Sequence, residues 1–194
     1  LSAGVHGILH THTRTAESVK AFVQITRYPF QSLGRDVIGE GLRGAGGQRP
    51  ANDIWGLTGA EYAKVADPWP LNPDGELILG LKIEDRHCLA NVDDIAAVPG
   101  IAFAEWGPGD MGMSFMDPDA HDPPYPEVMN DARDQIKTAL DKNGIGFYSS
   151  WADDDMTMEQ RVDYSLDVLG VKMMGATKEW AEYGRKKTRR TMPV

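Results

Sequence analysis

Two carboxylates stand at equivalent points of the sequence, each just after an apolar run. Leu77 to Ile83 leads into Glu84, and Ile101 to Trp106 leads through Gly-Pro-Gly into Asp110. Short apolar runs of this kind are typical of buried strands, and the apolar period between them predicts a helix over 88–98. A strand-helix-strand unit brings both acids to one edge of a sheet, where ligands bind in α/β folds. Two such carboxylates can hold a hard divalent cation such as Mg²⁺.

The first of these strands predicts a polar face. Because successive side chains alternate along a strand, Gly80, Lys82 and Glu84 share one face, opposite a face of three aliphatic residues. That polar face is typical of a binding site. The alternative is equally open: Lys82 and Glu84 form a buried ion pair, and Asp110 only caps a turn.

Glycine and histidine add further candidate ligands. The Gly107-Pro108-Gly109-Asp110 turn lets a ligand approach the backbone, whose N–H groups can hold a carboxylate. His10 and His12 are two residues apart and share a strand face, a spacing that suits zinc, with Asp110, His87 or His121 completing the set. Alternatively, one histidine lines a pocket and the other forms a local hydrogen bond.

Composition excludes several classes of protein. The net charge of −9 over 194 residues argues against nucleic-acid binding. No apolar run approaches about 18 residues, so we expect no membrane span. The single cysteine, Cys88, excludes an internal disulfide and favours a cytoplasmic location. The basic residues at 185–190 predict an exposed helix end.

Strands and helices alternate along the chain, which predicts a parallel α/β sheet or barrel in a single domain, 1–194. Residues 41–75 are rich in Gly and Pro and are expected to form a loop insertion beside the site. The loop Ser149 to Asp155 could contribute Ser149, Ser150 or Trp151 to a pocket wall. The predicted strands are 4–12, 77–83, 101–106, 145–148 and 171–174, and the predicted helices are 16–27, 59–66, 88–98, 127–142, 158–169 and 176–187.

Six segments resemble the HpcH/HpaI aldolase family, and within it the branch that includes macrophomate synthase. The matching segments are GILHTHTRTAES, RYP, GRDVIG, LKIED, NVDDIAAVPGI and WGPGDMGMS, in the family's order and approximate spacing. The resemblance covers most of 4–175, with 41–75 poorly matched. It implies a (β/α)₈ barrel of the TIM type and a class II, metal-dependent aldolase or lyase.

The resemblance also implies roles for individual residues. Glu84 and Asp110 would hold a divalent metal, Mg²⁺ or alternatively Mn²⁺ or Co²⁺, and the backbone of Gly109 and Asp110 would hold the carboxylate of a pyruvate-like 2-oxo acid. The second reactant would be an aldehyde. Trp106 and His12 are further candidate substrate contacts. The metal would stabilise the enolate formed as a carbon–carbon bond is made or broken.

Two departures from the family pattern stand out. Lys82 replaces a glutamine that usually precedes the metal glutamate by two residues, and is a candidate catalytic residue. Only about five of eight β-α units are present, as the C-terminal portion of a barrel. We therefore expect a longer polypeptide or a complementing N-terminal polypeptide, and a homo-oligomer. A zinc hydrolase using His10 and His12, or a catalytically incomplete barrel subunit, are the alternative functions.

Overall fold

The structure is a computed structural model that describes residues 1–149 and 153–190. Ser150 and Trp151, two of the candidate pocket residues, therefore lie outside the described residues. Within those ranges, no helix has the length and apolar character needed to cross a membrane. The strands are β1 (Gly7–His10), β2 (Pro68–Trp69), β3 (Leu77–Ile83), β4 (Phe103–Trp106) and β5 (Gly146–Ser149). The α-helices are α1 (Ala16–Thr26), α2 (Arg35–Ile38), α3 (Gln48–Trp55), α4 (Gly59–Val65), α5 (Arg86–Ala90), α6 (Val92–Ala96), α7 (Pro108–Ser114), α8 (Glu127–Lys142), α9 (Met158–Asp163) and α10 (Lys178–Thr188), and a π-helix spans Tyr164–Val168.

One parallel sheet organises the described residues. Its strand order is β1-β3-β4-β5, with the two-residue β2 also paired to β3. The register aligns His10 with Leu81 and Ile83 with Trp106. The loops that follow β1, β3 and β4 consequently meet at a single edge, and the predicted parallel α/β architecture is confirmed.

The main core lies between the helices and one face of the sheet. Leu79, Leu81 and Ile83 of β3 are fully buried there. Lys82, which alternates with them, is partly exposed on the other face. The alternation predicted for this strand is therefore confirmed, and it directs the charged side chains away from the hydrophobic core.

Several predicted elements differ in the structure. The strand expected over 4–12 is limited to Gly7–His10, and the helix expected over 158–169 continues as a π-helix after Asp163. The helix expected over 88–98 begins two residues earlier, at Arg86, because Asp85 caps it by accepting hydrogen bonds from the backbone N–H groups of His87 and Cys88, and it divides at Asn91 into α5 and α6. The strand expected over 171–174 is reduced to a single bridge between Met173 and Tyr148. A short segment at the end of a sheet makes few ladder hydrogen bonds, so apolar composition alone overstated it.

Residues 41–75 are more ordered than the loop insertion expected from the sequence. They contain α3, α4 and β2, and α4 alone was predicted. A second apolar cluster holds this region against the start of β3 and consists of Tyr28, Ala51, Tyr62, Ala66 and Leu77. Glycine density masked the helical pattern, because several of these glycines cap helices in left-handed conformations, as Gly47 and Gly56 do for α3.

Candidate metal centre

Three side chains that could bind a metal converge at the carboxyl edge of the sheet. They are His12 after β1, Glu84 after β3 and Asp110 in α7. One potential ligand atom from each lies within 4.8 Å of the others. The sequence separated these residues by up to 98 positions, and the parallel register brings them together.

Glu84 is the buried member of the cluster, with 1% of its surface exposed. Its Oε1 accepts a hydrogen bond of 2.8 Å from the backbone N–H of His12. Its Oε2 lies 2.9 Å from Nζ of Lys82 and forms an ion pair with it. A buried carboxylate needs compensating positive charge. Here the compensation comes from the lysine ammonium.

His12 reaches Glu84 through an unusual backbone conformation. Its φ is 48°, in the left-handed region that non-glycine residues rarely adopt. Its Nδ1 lies 3.4 Å from Oε1 of Glu84. The next residue, Thr13, donates its N–H to the carbonyl of Lys82 at 3.4 Å and its hydroxyl to the carbonyl of His10. These bonds tie the loop after β1 to the end of β3.

His10 does not join the cluster. β1 ends at His10, so the strand alternation that placed both histidines on one face does not extend to His12. The His10 ring packs 4.9 Å from that of Phe22 in α1, and burial lowers its pKa. The expected pairing of His10 with His12 at a zinc site is therefore wrong for the described structure. His87 and His121 are likewise outside the cluster of potential ligands found in the described residues.

Asp110 is presented by α7, a helix where the sequence suggested only a turn. Pro108 occupies the first position of α7, where a missing N–H costs nothing. Gly107, just before it, lies against the charged pair. A Cβ built on Gly107 would lie 2.8 Å from Cβ of Glu84 and 3.1 Å from Cε of Lys82. From the sequence, this glycine was predicted only to lie in a turn that lets a ligand approach the backbone.

The face of the sheet that carries Lys82, opposite the main core, also carries a carboxylate that was not predicted from the sequence, Glu105. Glu105 is aligned with Lys82 on β3 and with Tyr148 on β5, and it is 6% exposed. Burial alone would lower the pKa of Lys82, but Glu84, Glu105 and Asp110 outweigh it and raise that pKa. Lys82 is therefore an ammonium at neutral pH. Alternation along β4 could have identified Glu105, as it identified Lys82.

Asp85 stabilises the segment that follows Glu84, and it too was not predicted from the sequence. Its carboxylate accepts from the N–H groups of His87 and Cys88, both at 2.8 Å, and from Nε of Arg14 at 2.7 Å. Burial would raise the pKa of Asp85, but these donors prevail and lower it to about 2. Asp85 therefore connects the loop after β1 to the start of α5.

A cleft of about 350 Å³ opens beside Asp110, the one of the three potential ligands that lines it. Lys82, Gly109, Asp110, Met113 and His121 are among the residues that line it. A larger cleft of about 400 Å³ lies between α1 and α6, and no member of the cluster lines it. The smaller cleft is the one that chemistry at Asp110 would use.

The side chain of Trp106 lies in the hydrophobic core and not in the cleft. It was predicted to contact substrate, but its side chain is fully buried, 5.0 Å from the ring of Tyr125 and beneath Arg133 of α8. In β4 the side chain of Trp106 alternates with that of Glu105 and so belongs to the opposite, core-facing side. Its ring stabilises the packing of α8 on the sheet.

The donor atoms of the cluster fit a divalent cation. Two carboxylates and one imidazole are available, and hard or borderline cations accept this mixture of oxygen and nitrogen. Each carboxylate oxygen has two lone pairs, so Oε2 of Glu84, which pairs with Nζ of Lys82, retains one for a ligand bond.

Comparison with known sequences gives a consistent family. A model of the family described as HpcH/HpaI aldolase/citrate lyase matches residues 1–169. The hydroxypyruvate/pyruvate aldolase of Deinococcus radiodurans is 30% identical over 115 residues, which are 59% of this chain and 35% of that protein. The protein of the same name from Sagittula stellata is 30% identical over 128 residues, 66% of this chain and 43% of that protein. The chain thus spans less than half the length of these curated relatives.

Solved structures share the fold. An HpcH/HpaI aldolase/citrate lyase family protein from Burkholderia cenocepacia superposes with a TM-score of 0.68 at 18% identity, covering 97% of this chain and 64% of that one. Macrophomate synthase gives 0.60 at 20% identity, covering 97% and 58%. These similarities confirm the expected barrel-type α/β fold, present in part. The match of the family model over residues 1–169 shows that the chain belongs to the HpcH/HpaI aldolase/citrate lyase family.

Proposed function

We propose that this chain provides the metal-binding part of an aldolase or lyase that acts on a pyruvate-like 2-oxo acid and an aldehyde. The observation that carries the proposal is the convergence of His12, Glu84 and Asp110 at the carboxyl edge of the sheet. Family membership makes a carbon–carbon lyase the activity that best fits such a cluster. The curated relatives named above are hydroxypyruvate/pyruvate aldolases, which supports a small 2-oxo acid as substrate.

Glu84 and Asp110 are the proposed metal ligands, and His12 is a proposed third. Mg²⁺ is favoured by the two carboxylates, because it prefers hard oxygen ligands and keeps several of its waters. The imidazole nitrogen of His12 would also suit Mn²⁺ or Co²⁺.

Each side of the cleft has a proposed task. When bound, the divalent cation supplies positive charge next to the keto oxygen and so stabilises the enolate. The backbone N–H groups of Gly109 and Asp110, in the first turn of α7, would orient the substrate carboxylate because they have no carbonyl partner within the helix. Gly109 has open space where a Cβ would be, which leaves room for that approach. Lys82, as an ammonium, would contribute charge to the cleft and not accept a proton.

Deuterium exchange into pyruvate tests the proposal. We expect Glu84→Gln to abolish exchange of the methyl protons, followed by ¹H NMR in D₂O with Mn²⁺ or Mg²⁺, and to weaken Mn²⁺ binding at least tenfold in calorimetry. Glu76→Gln is the matched control. Glu76 precedes β3, is about half exposed and pairs only with His6 in the described contacts. Exchange that survives in Glu84→Gln at the wild-type rate would rule out this metal centre.

We also propose that the active assembly contains more than one copy of the chain, or a complementing N-terminal polypeptide. The matched region covers 35% and 43% of the two curated relatives described, so more than half of each relative has no counterpart in it. Native mass spectrometry of the purified protein would identify either partner. A monomer that catalyses exchange alone would contradict both.

A further inference from the structure

The ammonium of Lys82 supplies the positive charge next to Glu84 that a bound metal would otherwise supply. Its Nζ lies 2.9 Å from Oε2 of Glu84, the carboxylate oxygen that accepts from no backbone N–H in the described residues. The backbone on one side of the pair also limits where the side chain can lie. Gly107 closes the space behind it, since even a Cβ there would lie 3.1 Å from Cε of Lys82.

The carboxylates around Lys82 stabilise its ammonium when no metal is bound. Lys82 and Glu84 lie on the same face of the sheet as Glu105 of β4. Asp110 lines the same cleft as Lys82. Three carboxylates thus surround one cation. Glu84 is 1% exposed and would be costly to leave as an unpaired buried charge. Lys82 therefore offsets the buried charge of Glu84 in the ligand-free state.

A dication and this ammonium compete for the same oxygen. Like charges separated by a few ångströms in a partly buried site repel strongly, and the repulsion is poorly screened by salt. A metal bound to Glu84 would therefore have to displace Nζ of Lys82 from Oε2. Lys82 has the reach to move, because its side chain is 26% exposed and lines the open cleft.

We propose that Lys82 is a built-in competitor that sets the metal affinity of this centre by pairing with Glu84 and withdrawing when a divalent cation binds. This inference rests on the proposed function, because it assumes that Glu84 binds the metal. Its consequence is a site tuned to weak, exchangeable metal binding. Withdrawal would also direct the ammonium into the cleft, toward the negative charge of a bound substrate.

Calorimetric titration of the intact, chelator-treated protein with Mn²⁺ tests the inference without measuring activity. We expect Lys82→Gln to bind Mn²⁺ at least tenfold more tightly than wild type, equivalent to about 1.4 kcal/mol. Lys82→Arg keeps the charge and should show no such gain. Lys64→Gln removes the same charge from α4, which packs near the amino end of β3, and should match wild type.

The outcomes separate this inference from the metal centre itself. Equal or weaker Mn²⁺ binding by Lys82→Gln, with wild type binding measurably, would overturn the competition while leaving the centre intact. Mn²⁺ binding by none of the variants would overturn both. Circular dichroism should show that Lys82→Gln is folded, and added Mn²⁺ should raise its melting temperature more than that of wild type. An identical rise in the two proteins would also contradict the inference.

Discussion

Gly107 shows how strongly a single residue constrains the centre. It has no side chain, and Glu84 and Lys82 fill the space that a Cβ would take. Its φ is −97°, which any residue can adopt, so the requirement for glycine is steric and not conformational. The backbone at Gly107 therefore limits the positions that the Glu84 carboxylate and the Lys82 ammonium can take.

We expect Gly107→Ala to displace the Glu84 carboxylate and weaken Mn²⁺ binding at least tenfold in calorimetry. The methyl group would contact Cβ of Glu84 at 2.8 Å, so the protein should also lose roughly 1–3 kcal/mol of stability through overpacking. Gly59→Ala is the matched control, because nothing lies within 4 Å of a Cβ there. An unchanged Mn²⁺ affinity in Gly107→Ala would show that the close packing of Gly107 against Glu84 is not needed for metal binding.

At the scale of the element, α5 depends on Asp85. The carboxylate caps the helix through two backbone N–H groups and at the same time binds Arg14 of the loop after β1. Glu84, the proposed metal ligand, is the preceding residue. The start of α5 and the position of Glu84 are consequently fixed by the same contacts.

We expect Asp85→Ala to lower the free energy of unfolding by about 1–2 kcal/mol, the usual cost of losing an N-cap. Urea denaturation monitored by circular dichroism would measure it. Asp94→Ala provides a control on α6, since Asp94 is exposed and does not cap its helix. A wild-type midpoint for Asp85→Ala would contradict the role of the cap.

The same carboxylate predicts a pH dependence. The pKa of Asp85 is lowered in the folded protein to about 2, below the roughly 3.9 of an unfolded aspartate. Its stabilising contribution should be complete above about pH 4 and lost as the pH falls toward 2, because protonation then favours the unfolded chain. The stability difference between wild type and Asp85→Ala should shrink over that range. A difference that stayed constant down to pH 2 would be inconsistent with the lowered pKa.

At the scale of the whole molecule, a buried ion pair joins two apolar clusters. Arg27 ends α1, which packs in the main core, and Asp67 follows α4, which packs in the second cluster. Their side chains are 1% and 2% exposed, with Nε of Arg27 2.6 Å from Oδ1 of Asp67. Arg27 also donates to the carbonyl of Leu33. This pair attaches the region 41–75 to the barrel-type sheet.

We expect Asp67→Ala to cost about 3–5 kcal/mol, because it leaves a buried guanidinium without its counter-ion. That is a large part of the stability of a typical domain. Urea denaturation checks it, with Asp93→Ala as control. Asp93 forms an exposed pair with Lys142 and should leave the midpoint unchanged. Equal midpoints for the two variants would show that the buried pair is dispensable.

The sequence alone determined the alternation of strands and helices, the two faces of β3, and the positions of Glu84 and Asp110 after their strands. These follow from local periodicity, which depends only on neighbouring residues. The helices α3 and α7 were missed because Gly and Pro obscured that periodicity, although Pro108 is a usual first residue of a helix.

Tertiary structure decided which side chains meet. His12, and not His10, reaches Glu84, because the chain leaves β1 with a positive φ at His12. Trp106 is buried because α8 covers its side of β4. The sequence left open whether Lys82 pairs with Glu84 or Glu84 serves a site. The folded chain places the ammonium of Lys82 on the carboxylate of Glu84, and the parallel strands bring His12 and Asp110, which are distant in sequence, next to that pair.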